Sequence, residues 1–393
     1  MLKISRQSDI SAFRALDLLQ QVNQLKKEGA DVISLSLGQL SDGAPRAAME
    51  YCIEALQNGD MGYTEAIGMP MLRERISTWY RDYYGIDVPM ERIVITVGAS
   101  GAFLFAFLSM FDPGDKIAIA APGYPAYRNI IKACGMQVVE IPTGMQTDYQ
   151  PTIAHLEEMD EIPDGLLVAS PCNPAGTMIS SENLKSLCDW CSEKGVRLIS
   201  DELYHGVTFE EKADSVLRYC PNTVAVNSFS KYFAMTGWRL GWMVVPEDVA
   251  GRVKSLAESL FVAPPTLAQH VAYKTFDHTD VLDEYVARYK ANLDILRAEL
   301  PKAGITKFAP TKGAFYLYAD ISDITDNSEK WAKDLLEAEG VAVTPGTDFD
   351  LERGHQTIRM SFAGSTKDVK EATIRIQRFV NASQPATATA SGV

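Results

Sequence analysis

The chain of 393 residues offers little cysteine, little histidine, no long apolar run and no excess of positive charge. Of its six cysteines, only Cys188 and Cys191 form a C-x-x-C pair. They stand in "SENLKSLCDWCSEKG" with Leu184 and Leu187 at helical spacing, which reads as small apolar residues on one buried helix face rather than a zinc or redox pair. No second C-x-x-C and no histidine pair completes a metal-ligand set. Among the five histidines only His205 follows a candidate site segment, and a structural role is the plainer reading of it. No segment reaches the roughly 20 apolar residues that span a bilayer. The start, "MLKISRQSDI", lacks the apolar stretch of a signal peptide. Lys and Arg number 37 against 51 Asp and Glu, a formal net charge of −14. Such a surface repels nucleic acid and anionic membranes, so the expected partners are small molecules. With no signal peptide or spanning run in view, the expected location is the cytoplasm.

What the chain does have is alternation. From about residue 92, β-rich runs ("RIVITV", "KIAIA", "QVVEI", "LLVAS", "RLISD", "TVAVNS", "LGWMVV") are mostly separated by helix-length segments. This predicts an α/β fold, a mostly parallel seven-stranded sheet with helices on both faces. The step from Ser228 to Leu240 is too short for an ordinary crossover helix, so the last strand is expected to be antiparallel. The flanks read differently: an amphipathic helix over 10–30, a strand "VISLSLG", a long helix over 279–304, then "AFYLYAD", a helix from Ser328 to Gly340, and "TIRMSFA". The expected division is a large domain over 48–285, a smaller α+β domain from 1–47 and 286–381, and a disordered tail over 382–393.

In open α/β sheets, ligands bind beyond the carboxyl ends of the strands. Here those ends are polar. "RIVITV" runs into "GASGA", whose amides and Ser100 hydroxyl suit a phosphate at a helix start. "LLVAS" leads to Asn173, "RLIS" to Asp201 and then Tyr204, and "TVAVNS" to Ser228, Ser230 and Lys231. Singly, each has a bland reading: a tight turn, a cap, a snorkelling lysine. Together they suit pyridoxal 5′-phosphate. That cofactor needs a lysine amine for its aldehyde, a phosphate cradle, and a carboxylate that keeps the ring nitrogen protonated. Ser100, Ser228 and the planar fork of Arg239 suit the phosphate, Asp201 the ring nitrogen, and Asn173 and Tyr204 the ring's 3-oxygen.

"SFSKYFAMTGWRLGW" resembles the lysine signature of the class I/II aminotransferases, the fold type I pyridoxal-phosphate enzymes of the aspartate aminotransferase superfamily. "YTEAIGMPMLRERI", "DPGD", "APGYPAY", "SPCNPAGT", "SDELY", "TPGTDF" and "IRMSF" follow that family's landmarks in order, covering about Ile10 to Val380. The resemblance implies a catalytic set of Lys231, Asp201 and Tyr204. Lys231 would carry the cofactor, then take the substrate's Cα proton and return it to the cofactor. Asp201 would face the ring nitrogen, with Tyr204 and Asn173 beside the 3-oxygen. Tyr124 would stack on the ring, and Ala99, Ser100, Ser228 and Arg239 would hold the phosphate. Tyr63 would reach the phosphate from a neighbouring subunit, which makes the expected unit a homodimer. Arg359 would take the substrate α-carboxylate, with Gly38 beside the substrate. The implied reaction is ping-pong transfer of an α-amino group to a 2-oxo acid, 2-oxoglutarate in most of the family.

The chain departs from the family in informative places. Aspartate-specific members often carry a lysine in the turn after the first strand, where this chain has Ser100. Another branch places an arginine shortly after a Pro-Pro pair, where this chain has Gln269 and His270. These gaps favour a neutral or aromatic donor over aspartate, and Phe13, Phe103, Phe315, Tyr124 and Tyr316 are candidates to line an apolar pocket. An aspartate aminotransferase and a carbon–sulfur β-lyase of the same fold are the alternatives. A non-catalytic effector domain of a transcription regulator would need a fused DNA-binding segment.

Overall fold

In the computed structural model the described residues are 2–12, 14–38 and 40–383. They form two compact units. The larger comprises the segment ending at Ala12, Asp42–Ala287 and Pro310–Ala314; the smaller comprises the segment ending at Ser41, Arg288–Ala309 and the chain from Phe315 onward.

The larger unit is built on seven strands: β1 (Ile93–Thr96), β2 (Lys116–Ala121), β3 (Gln137–Pro142), β4 (Gly165–Ala169), β5 (Arg197–Asp201), β6 (Val224–Ser228) and β7 (Gly241–Val244). Their spatial order is β1-β7-β6-β5-β4-β2-β3. β3, β2, β4, β5 and β6 run parallel, whereas β7 is antiparallel to both β6 and β1. The expected α/β class and the reversed last strand are what the chain adopts. Strands β1, β4, β6 and β7 are almost wholly buried because both faces are covered, whereas the edge strand β3 is only partly buried. Neighbours on β7 show this: Met243 joins the cluster of Phe103, Phe107, Val249 and Val253, while Trp242 points the other way and its Nε1 donates to the Tyr80 hydroxyl at 3.4 Å. The Gly98–Met110 helix is apolar on all sides, with Phe103, Phe105 and Phe107 all buried, as a helix inside a domain must be.

The smaller unit pairs Ile33–Ser34 in parallel with Val341–Ala342, and sets Thr344–Pro345, Thr357–Ser361, Tyr316–Asp320 and Lys307–Phe308 in an antiparallel sheet. Helices Arg14–Lys27, Ser328–Glu339 and Thr366–Ser383 belong to it, and Val22, Val32, Leu336 and Ala342 share one apolar cluster.

Several sequence boundaries move. The first long helix starts at Arg14 rather than near residue 10. The residues before it group with the larger unit, not the smaller: Asn129 Nδ2 donates to Ser11 O at 3.0 Å, holding that segment against the Pro125–Ala133 helix. Residues 310–314 also group with the larger unit, because Lys312 N donates to Gly176 O at 2.8 Å and Thr311 Oγ1 to Ala175 O at 3.0 Å. The final helix continues through Ser383, two residues into the segment expected to be a tail; residues 384–393 lie outside the described residues.

Candidate active site

Two glycines shape the first part of the site. Gly98 opens the Gly98–Met110 helix at φ +66, and a Cβ there would stand 2.6 Å from Arg239 Nη2. Gly241 starts β7, and a Cβ there would meet Gly98 C at 2.8 Å and Ala99 N at 2.9 Å. Bare backbone at both positions lets a helix N-terminus, with its unpaired amides, lie against a guanidinium. That is a cradle for an anion. Arg239 is held in the left-handed region (φ +54), and its Nη1 donates to Thr236 O at 3.0 Å. Ser100 is exposed and Ala99 half-buried at the helix start. Ser228 is buried, and its Oγ accepts from Ser230 N at 3.0 Å, so it also braces the turn that carries Lys231.

The second part gathers at the ends of β4, β5 and β6. Asp201 closes β5 and is 1 % exposed. Its Oδ1 accepts from Leu203 N at 3.1 Å, and its Oδ2 accepts from the Tyr127 hydroxyl. Burial pushes the Asp201 carboxyl up to about 7, against the opposing pull of Tyr127, the Leu203 amide and the charge on Lys231. A buried carboxylate of this kind calls for a cation opposite it. Lys231 Nζ lies 5.8 Å from the centre of the Tyr204 ring, so both stand at this strand end with Asp201. Asn173 and Tyr124 line one cleft with Tyr127, Gln150, Ala169 and Cys172, and Tyr124 meets Tyr127 edge-to-face at 5.3 Å.

Sequence reasoning missed Tyr127. It stands three residues after Tyr124, on the first turn of the Pro125–Ala133 helix, and this i,i+3 spacing puts both rings on one face. Burial raises its phenol well above the ordinary value, so it donates to Asp201 as a neutral hydroxyl.

In the smaller unit Arg359 is buried, with its guanidinium carbon 4.3 Å from the Tyr316 ring centre and 4.6 Å from that of Phe349. Nη2 donates to Ser36 O and, at 3.3 Å, to Thr344 Oγ1. A planar cation between two rings is pre-oriented for a carboxylate. Gly38 stands against the same group of rings: a Cβ there would overlap the Tyr316 hydroxyl and lie 2.8 Å from Phe315 Cε2.

Other expected residues are placed differently. Tyr63 is 88 % exposed, so the single chain does not bury it against the rest. Phe103 is a core residue, edge-to-face on Tyr127 at 5.3 Å. Phe13 lies outside the described residues. Gln269 is fully buried and its amide is committed at both ends: Oε1 accepts from Met69 N at 2.7 Å, and Nε2 donates to Thr64 Oγ1 at 3.1 Å and Pro264 O at 3.2 Å. His270 beside it is buried near the Tyr51 ring.

The family described as aminotransferase class I and II matches residues 30–376. The chain belongs to this family. It is 43 % identical over 378 residues to the valine–pyruvate aminotransferase of Mycobacterium tuberculosis, covering 95 % of this chain and 97 % of the relative. It is 31 % identical to the aspartate aminotransferase of Sulfurisphaera tokodaii, with 93 % of each chain covered. A crystal structure of an aminotransferase from Mycobacterium tuberculosis superposes with a TM-score of 0.95 at 42 % identity, covering 97 % of this chain and 100 % of that one. Aminotransferases of this class use pyridoxal 5′-phosphate, and so does this one. The residues present fit it: an anion cradle at Gly98 and Arg239, a buried carboxyl at Asp201, and a lysine at the same strand ends. Bound in an aminotransferase, the cofactor supplies an aldehyde for an amine and a ring that withdraws electrons from the substrate Cα.

Proposed function

We propose that the chain transfers the α-amino group of a neutral, apolar amino acid to a small monocarboxylic 2-oxo acid such as pyruvate, by ping-pong kinetics. Lys231 Nζ would hold the cofactor, take the proton from the substrate Cα and deliver it two bonds away, to the carbon that the cofactor's aldehyde supplies. Asp201 opposes the ring nitrogen. Asn173 and Tyr204 donate to the 3-oxygen, Tyr124 covers the ring, and Ala99, Ser100, Ser228 and Arg239 take the phosphate. Arg359 takes the substrate α-carboxylate, with Gly38 leaving room beside it.

The observation that carries the donor reading is Gln269. Where one branch of the family carries an arginine for a distal carboxylate, this chain has a side chain with no exposure, whose amide is committed to Met69, Thr64 and Pro264. Ser100 likewise replaces the lysine of aspartate-specific members. An unpaired buried carboxylate costs several kcal/mol, and every ~1.4 kcal/mol is a tenfold loss of kcat/KM. In ping-pong kinetics the acceptor occupies the donor's place, so the same argument counts against 2-oxoglutarate and for pyruvate. The 43 % identical relative bears the name of that substrate pair.

We further place the enzyme in the cytoplasm as a homodimer. Supporting the dimer is the 88 % exposure of Tyr63, a residue suited to completing a partner's phosphate site, together with exposed Leu260, Phe261 and Val262. The test of the donor reading is kcat/KM for valine, leucine, methionine, phenylalanine and aspartate, each with pyruvate and with 2-oxoglutarate. Neutral donors with pyruvate are expected to lead by roughly tenfold or more. If aspartate with 2-oxoglutarate leads, the donor reading is overturned.

A further inference from the structure

We propose that His205 is a positioning residue, a hydrogen-bonded strut that fixes the Ser170–Asn173 segment against the Asp201–Tyr204 turn and thereby holds Asn173 and Tyr204 in register. The inference rests on the reading of those two residues as partners of the cofactor's 3-oxygen. His205 is 4 % exposed. Nε2 is 2.9 Å from Ser170 O, and a carbonyl only accepts, so the proton is on Nε2. Nδ1 is then an acceptor, and the Tyr84 hydroxyl donates to it at 2.7 Å. The strut therefore runs from Tyr84, at the end of the Pro70–Tyr84 helix, through the imidazole to the chain three residues before Asn173. Ser170 is tied a second time, since its N donates to Asp201 O at 3.2 Å.

Two neighbours complete the setting. Glu202 Oε2 lies 3.7 Å from Nδ1, but burial pushes this carboxyl up to about 8 and the imidazole down to about 4, so both are neutral near pH 7 and the approach is not an ion pair. Gly206 follows at φ +91, and a Cβ there would press into the Tyr232 ring at 2.5 Å. The turn that carries His205 is thus wedged against the residue next to Lys231, while its imidazole reaches the segment leading to Asn173.

The test uses wild type, His205→Leu and His205→Gln, each as holoenzyme and as apo-enzyme. The readouts are the pH midpoint of the bound cofactor's visible absorption and the Kd of the apo-enzyme for pyridoxamine 5′-phosphate. Weaker donation to the 3-oxygen leaves more negative charge on it. The leucine variant is therefore expected to raise the midpoint by about one pH unit, the change that a weakened hydrogen bond to an ionised oxygen produces. It should also weaken pyridoxamine phosphate binding and lower kcat more than it alters the donor KM. Glutamine, which keeps an N–H near Ser170 O, is expected to restore the midpoint. A leucine variant that loses only thermal stability, with wild-type midpoint and kcat, would overturn the proposal. Should leucine prevent folding, His205→Asn decides: it keeps an acceptor for Tyr84 but falls short of Ser170 O, so a shifted midpoint supports the strut and an unchanged one refutes it. Failure of the wild-type enzyme itself to transaminate would instead refute the functional reading.

Discussion

Replacing Tyr127 by phenylalanine removes one hydroxyl from the cleft, and its expected effect can be worked from Asp201. That carboxyl sits at about 7, with the Tyr127 hydroxyl as one of three groups holding it down against burial. A hydrogen bond to a charged acceptor contributes about 1.5–3 kcal/mol, and one pKa unit is about 1.4 kcal/mol, so the variant's Asp201 should rise by ~1–2 units. Cofactor binding with a protonated ring nitrogen requires the ionised carboxylate. At pH 7 the wild-type group is about half ionised, whereas at a pKa of ~8.5 only a few per cent would be, a penalty of roughly tenfold in Kd. Above about pH 9.5 both apo-enzymes are largely ionised and the penalty should vanish. The assay is titration of apo-enzyme with pyridoxamine 5′-phosphate, which needs no bond to Lys231, from pH 6 to 10. A variant-to-wild-type Kd ratio that is flat across this range would refute the reasoning, whatever its size.

Gly241→Ala should cost about 1–3 kcal/mol of stability and weaken phosphate binding, because its Cβ would come within 2.9 Å of Gly98 C, Ala99 N and Asn227 O; thermal melts with and without cofactor check this. Mixing inactive Lys231→Ala and Tyr63→Phe subunits should restore part of the activity, since a hybrid dimer has one intact site; no recovery together with a fully active monomer would exclude the shared site. Apo-enzyme stability should fall from pH 6.5 to 8. Asp201 and Glu202, raised to about 7 and about 8, bind protons in the folded state that the unfolded chain has already lost, while His205, lowered to about 4, no longer contributes above its ordinary value. Glu202→Gln should flatten that slope in a Tm-against-pH series.

Much of this was readable from the chain because strand ends are read one at a time. Asn173, Asp201, Tyr204, Ser228 and Lys231 each follow a β-rich run, and the parallel arrangement of β4, β5 and β6 brings such ends to one edge. The antiparallel β7 was legible from a short connection alone. Tyr127 was not, because its partner is 74 residues away in sequence and only the fold puts its hydroxyl on Asp201. Gln269 was read as a missing arginine; its work of tying the Thr64–Met69 loop to Pro264 is tertiary, and no local pattern announces it. His205 looked like an ordinary core histidine for the same reason: Tyr84 and Ser170 are 121 and 35 residues distant. The start of the first helix was misplaced because "ISAF" continues the apolar spacing, while the backbone of Ser11 is taken by Asn129.

The central claim is that Lys231 Nζ moves the proton at the substrate Cα. Hydrogen–deuterium exchange at Cα of valine in deuterium oxide, followed by NMR with holoenzyme and no 2-oxo acid, isolates that step. Wild type should exchange the proton at a rate comparable to kcat. Lys231→Ala loaded with cofactor should exchange slower by about 10²–10⁴-fold, the usual contribution of a positioned general base. Exchange in that variant at the wild-type rate would contradict the account.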